Sequence, residues 1–154
     1  GSNMTLSYDA AKIAAVGYQS NGTALEKKAC ASYALAYCNA ILTGTVTSPH
    51  SYWSSSTYVD CVWSKGGYTT KSYVSEAAVL QAAYNELMAG KPSILHVTGN
   101  TPQHWITIIG CKKTGGGSGI SVSDLVAIDP WDGKVITVSD KYKVKTSYRL
   151  GVKS

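Results

Sequence analysis

Apolar positions in the first part of the chain recur at helical spacing, and those in the last part form short strand-like runs. Residues 5–16 mix Ala, Leu, Ile and Val with polar positions and predict a short helix. Residues 17–23, with Gly17, Asn21 and Gly22, predict a loop. Residues 28–42 are Ala-rich and almost wholly apolar, as in a helix buried on most sides, and Gly44 closes it. A second, amphipathic helix is predicted over 75–89. Ser75 is its N-cap, Gly90 its stop, and Val79, Leu80, Ala83, Tyr84, Leu87 and Met88 its apolar face.

Residues 45–74 lie between these helices and show no period. They carry Tyr52, Trp53, Tyr58, Trp63, Tyr68 and Tyr73 among Ser, Thr and Gly, and predict a long loop with at most a short hairpin. Loops of that length are uncommon unless they serve function. Strands are predicted at 93–97, 104–111, 125–129, 134–138 and 142–150, with a Gly-rich turn at 113–119 and a turn at 130–133. Segment 104–111 is apolar throughout, the pattern of a strand covered on both faces. Helices first and strands later predict an α+β domain. Residues 5–154 read as one domain, without internal repeat or linker, and residues 1–4, opening Gly1-Ser2, read as a cloning remnant.

Composition narrows the classes. Hydrophobic residues make up 44% and charged residues 15% of 154, a balance that favours a folded chain over a disordered one. The 14 basic and 9 acidic residues leave a net charge of +5, which suits an anionic surface such as a cell wall or a membrane exterior. Basic runs do not exceed Lys27-Lys28 and Lys112-Lys113, so nucleic acid is not an expected partner. Lys141, Lys143 and Lys145 alternate, as on a solvated strand face. No run approaches the roughly 18 apolar residues of a spanning helix, so membrane insertion is not expected. Eleven Tyr and four Trp accompany no Phe, which allows either aromatic contact with polar ligands or Tyr in place of Phe in the core.

The four cysteines, Cys30, Cys38, Cys61 and Cys111, form no CxxC pair, which argues against a zinc ribbon or a thioredoxin-like motif. Cys30 and Cys38, on one helix, would lie about 12 Å apart, too far to bridge. Cys30 stands at the start of the buried helix, where backbone N–H groups and the helix dipole suit an anionic sulfur and an oxyanion. A cysteine in an Ala-rich helix is more often a small core residue, so the rest of the chain must supply its chemistry. His50 falls in the irregular segment and His96 inside a strand, as a packed core histidine would. His104 opens a strand after a polar turn, where a histidine can be both held and wet. Asp129 ends the strand before Pro130. If that strand pairs antiparallel with the one opened by His104, Asp129 and His104 share a sheet edge, although Asp-Pro also simply begins turns.

Three stretches resemble the papain-like cysteine peptidases, and most closely the bacteriocin-processing branch of double-glycine leader peptidases and their stand-alone relatives. They are Val-Gly-Tyr-Gln at 16–19 with Ala-Cys-Ala-Ser-Tyr-Ala-Leu-Ala at 29–36; Gly-Lys-Pro-Ser-Ile at 90–94 with His-Trp-Ile-Thr-Ile-Ile-Gly at 104–110; and Ala-Ile-Asp-Pro-Trp-Asp-Gly at 127–133. The resemblance implies a papain-like fold, with the nucleophile helix packed on a C-terminal antiparallel sheet. It implies Cys30 as nucleophile, His104 as base, Asp129 as its orienting partner and Gln19 as oxyanion donor, with Gln103 a rival donor. Ala31 stands where the family usually has glycine, and Gln19 precedes the cysteine by a longer gap than in papain.

The expected activity is hydrolysis of amide bonds by a monomer, without metal or organic cofactor. A cell-wall peptide substrate, as for a phage endolysin or autolysin domain, is the leading expectation and implies a secreted or wall-directed protein. A protein or leader peptidase, and a non-catalytic binding domain on the same fold, are the alternatives. Trp53 and Trp63 are candidates for substrate contact or for a roof over the core. Trp131 is expected beside the triad, shielding the His104–Asp129 hydrogen bond from water.

Overall fold

The fold is built around one strand that is apolar on both sides. In the computed structural model, which describes residues 4–113 and 118–154, β4 (His104–Cys111) is buried along its whole length. β3 (Ser93–Thr98) and β5 (Leu125–Ile128) pair with it antiparallel on either side. β6 (Val135–Thr137) continues the sheet beyond β5, and β8 (Arg149–Lys153) and β2 (Tyr68–Ser72) continue it beyond β3, giving the order β2-β8-β3-β4-β5-β6. The short strands β1 (Met4–Thr5) and β7 (Lys143–Val144) pair with β4 and β3. All these pairings are antiparallel, so the domain is α+β with an open sheet.

Side chains alternate between two cores because a strand has a period of two. Trp105 and Ile109 of β4, Ile94 of β3 and Ile128 of β5 join one core with helices α1 (Ala10–Val16) and α2 (Cys30–Thr43). Ile106 and Ile108, with Leu95, Val97, Leu125 and Ala127, join the other with α3 (Glu76–Met88). A register shift between Ile108 and Gly110 then turns Cys111 toward the α3 core. A Cβ on Gly110 would lie 2.8 Å from the Met4 carbonyl, so β1 can approach only a glycine there. Thr107 Oγ1 donates to the Ala34 carbonyl at 3.1 Å and ties the middle of α2 to the middle of the sheet.

Several boundaries differ from the sequence expectation. The predicted helix over 5–16 begins only at Ala10, where the Asp9 side chain accepts from the Ala11 N–H. The residues before it are strand or extended, with Leu6 N–H donating to the Ile109 carbonyl. Met4, in the segment set aside as a remnant, pairs with Cys111. The segment 45–74 is not one loop. It holds two 3-10 turns, Pro49–Tyr52 and Trp63–Gly66, a Trp53–Cys61 bridge and the strand β2. The strand predicted over 142–150 is two strands, because a turn closed by Tyr148 N–H to the Lys145 carbonyl, with Tyr148 at φ 48°, interrupts it. Met88, assigned to the apolar face of α3, is exposed. The Gly-rich turn at 113–119 and residues 1–3 lie largely outside the described residues.

Candidate active site

Three separate local structures meet at one end of the sheet. α2 starts at Cys30, with Ala29 as its N-cap residue and no side chain capping its first N–H groups. Its Ala-rich first turns bury almost entirely, which brings this end hard against the sheet. β4 starts at His104, and β5 ends one residue before Asp129. Thr107 pairs with Ile128, so antiparallel pairing puts His104 and Asp129 at the same edge. The chain turns back after Asp129 through bonds from the Asp129 N–H to the Lys134 carbonyl and from the Gly133 N–H to the Asp129 carbonyl. Gly133 closes that turn at φ 72°, a conformation that suits glycine.

Asp129 is fully buried, and its carboxylate accepts four hydrogen bonds. Oδ1 takes His104 Nε2 at 2.8 Å and the Trp131 N–H at 3.0 Å. Oδ2 takes Lys141 Nζ and the Tyr142 hydroxyl, both at 2.6 Å. Burial works against this charge, but the bonds from His104, Lys141, Tyr142 and Trp131 outweigh it and hold the carboxyl well below the usual carboxylate range. The imidazole of His104 shows the complementary shift. Burial would lower its pKa, yet the Asp129 bond and the neighbouring Cys30 sulfur raise it from 6.5 to about 9. Nε2 is spent on Asp129, so any proton exchange with the neighbouring Cys30 sulfur would fall to Nδ1.

Cys30, His104, Gln19 and Trp131 line one cavity of about 830 Å³, together with Lys27, Lys28, Lys141, Tyr142 and the turn 100–103. The Gln19 loop is fixed to the Asp129 turn by two backbone bonds, Gln19 N–H to the Pro130 carbonyl at 2.8 Å and Ser20 N–H to the Trp131 carbonyl at 2.9 Å. The Tyr37 hydroxyl of α2 donates to the Gly17 carbonyl at 2.6 Å and anchors the same loop from the other side. Gln19 itself is buried. One N–H of its amide donates to the Glu26 carbonyl at 3.1 Å, and its Oε1 is buried without a partner.

The other expected residues are placed differently. Trp53 is only 3% exposed, stacked on His50 at 4.0 Å within the α2 core, and does not line the cavity. Trp63 packs edge-on to Trp105 at 4.8 Å and against Gly151, and does not line the cavity either. Both roof the core, one of the two placements open to them in the sequence, and neither lines this cavity. Trp131 does line the cavity, but at 41% exposure it forms a wall rather than a shield. Its backbone N–H, not its ring, serves Asp129. The side chain over the imidazole is Tyr142, with ring centroids 5.3 Å apart.

Gln103 lines the cavity, with its Oε1 hydrogen-bonded to His96 Nε2 at 2.8 Å. His96 is buried and stacked on Trp105 at 4.0 Å, where desolvation lowers its pKa. His50 bonds Glu26 at 2.7 Å in an exposed position. Lys141 and Tyr142 complete the Asp129 site, and the sequence marks neither as a candidate for it. The alternation of Lys141, Lys143 and Lys145 suggested a solvated face, but Lys141 reaches Asp129 and Lys145 reaches the Pro102 carbonyl. Neither the period nor a motif marks those contacts.

No family model, curated protein or solved structure matches the chain. Among the described residues no helix is long and apolar enough to cross a membrane, and no cluster of His, Cys, Asp and Glu could hold a metal ion.

Proposed function

We propose that the protein is a papain-like cysteine hydrolase that cleaves amide bonds, with Cys30 as nucleophile, His104 as base and acid, and Asp129 as the residue that orients His104. The observation that carries this reading is the His104–Asp129 pair, held at 2.8 Å on a carboxylate locked by three further donors and opening with Cys30 onto one cavity. A purely structural aspartate needs partners too. It does not need an imidazole whose other nitrogen is left for a thiol at the start of a helix.

In the proposed reaction His104 Nδ1 takes the Cys30 proton. The thiolate attacks the carbonyl carbon, and the oxyanion is held by the Cys30 N–H and the second N–H of the Gln19 amide. The imidazolium gives its proton to the leaving amine. His104 then draws a proton from water, which attacks the thioester and frees the acid and Cys30. Asp129 fixes the ring orientation and stabilises the imidazolium.

The substrate class proposed is a cell-wall peptide. The net charge of +5 and the cationic cavity lining support it. The test is digestion of purified bacterial cell walls by wild type and by Cys30→Ala, with released peptides and amines identified by mass spectrometry. Release by wild type alone is expected. Equal release by both proteins would contradict Cys30 as nucleophile, and no release by either would remove the wall as substrate.

A further inference from the structure

The charges around the cavity do not cancel, and the imbalance has a chemical consequence. Lys27, Lys28 and Lys141 line it, and among the described residues no carboxylate does. Lys141 is already paired, with Asp129 at 2.6 Å and with Asp132 at 3.5 Å. The Cys30–His104 pair is neutral as thiol and imidazole or as thiolate and imidazolium, so Lys141 offsets one of the two carboxylates. Lys27 and Lys28 remain, and neither is in an ion pair among the described residues. The nearest carboxylate in sequence, Glu26, is turned elsewhere. Its Oε1 accepts the Thr23 N–H at 2.8 Å and its Oε2 bonds His50 at 2.7 Å. A single 3-10 turn, Glu26–Lys28, thus holds its acid away and leaves its two lysines on the cavity, two and three residues before Cys30.

We infer that Lys27 and Lys28 form an anion subsite beside Cys30, and that the substrate is a peptide carrying a carboxylate within reach of them when its scissile carbonyl sits on the Cys30 sulfur. This inference rests on the proposed hydrolase reading and narrows its substrate. A neutral cavity would accept amidated and free-acid peptides alike. Two exposed lysines on the cavity lining, in no ion pair, outnumber the one carboxylate left unmatched and favour the acid, and the preference weakens as salt screens them.

The test measures the alkylation rate of Cys30 with two probes of similar size, anionic iodoacetate and neutral iodoacetamide. The ratio of the two rates reports the local field and cancels changes in the intrinsic reactivity of the sulfur. Relative to wild type, Lys27→Gln/Lys28→Gln is expected to lower the iodoacetate-to-iodoacetamide ratio by about threefold to tenfold at low salt. Raising the ionic strength to about 1 M should erase most of that difference. Lys71→Gln, an exposed lysine outside the cavity, should keep the wild-type ratio. A ratio unchanged in the double variant, with Cys30 still reacting fast, overturns the subsite and leaves the hydrolase reading standing. Slow reaction of wild-type Cys30 with both reagents overturns the hydrolase reading and the subsite with it.

Discussion

The helices α2 and α3 lie on opposite faces of the same sheet, have 14 and 13 residues, and begin in opposite ways. α3 starts at a Ser75 cap whose hydroxyl accepts the Ala78 N–H at 3.1 Å, with Glu76 in the first turn beside the positive end of the dipole. α2 starts at Ala29, which has no side chain to cap with, and it has no acid in its first turn. The uncapped end is the one that carries Cys30 and borders the cavity, while no residue of α3 lines it. In α3 the Ser75 side chain takes one of the first N–H groups. Under the proposed function, those of α2 are left for the charge that forms at Cys30.

The same contrast runs through the two cores. The α3 side is mostly aliphatic, with Val79, Leu80, Leu87, Ile106, Ile108 and Leu125 buried together. The α2 side is built from Ala and large aromatics, including Tyr33, Tyr37, Tyr52, Trp53 and Trp105. Small residues on α2 let the helix approach the sheet closely, which sets the depth of Cys30.

The largest separation of the two regions is expected from Asp129→Asn. It should lower kcat by about a thousandfold or more through loss of the charge that orients and stabilises the imidazolium. Circular dichroism should still show a folded domain. A kcat within tenfold of wild type would remove Asp129 from the reaction. On the other face, Leu80→Ala should cost about 2–5 kcal/mol of stability in denaturant titration. Activity per folded molecule should be unchanged, and a parallel loss of kcat would show that α3 also sets the site geometry.

His104 makes the contrast depend on pH. Its folded pKa near 9 lies above the ordinary 6.5, so the folded state binds the proton more tightly. That contribution, up to about 3 kcal/mol, is fully present below about pH 6.5 and is lost as pH rises through about 9. Thermal unfolding from pH 6 to 10 should show this slope, and His104→Gln should flatten it. In wild type the alkaline limb of kcat/KM should fall near pH 9. The smallest effect is at the cap itself. Ser75→Ala should cost about 1 kcal/mol of stability and leave kcat alone.

Much of this arrangement was legible in the chain, for stated reasons. α2, α3, β3, β4 and β5 are long or strongly patterned, so burial and period agree. The edge positions of His104 and Asp129 follow from strand ends and antiparallel pairing alone. β2 was missed because Tyr68–Ser72 is a polar edge strand whose pairing with β8 is long-range. For Trp53 and Trp63 contact with substrate and a roof over the core both stay open in the sequence, because an aromatic in an irregular segment carries no sign of which way it faces. Lys141 and Tyr142 reach Asp129 only once β5 and β6 have folded the chain back, and no local pattern encodes that return.

The most direct test of the central claim is whether His104 activates Cys30. Iodoacetamide alkylation of Cys30 should be followed at pH 6 in wild type and in His104→Ala, with mass spectrometry to assign the modified cysteine. The account predicts selective labelling of Cys30 in wild type and a rate lower by about tenfold or more in the variant. Equal rates in the two proteins would mean that the histidine does not act on the thiol, and would contradict the triad.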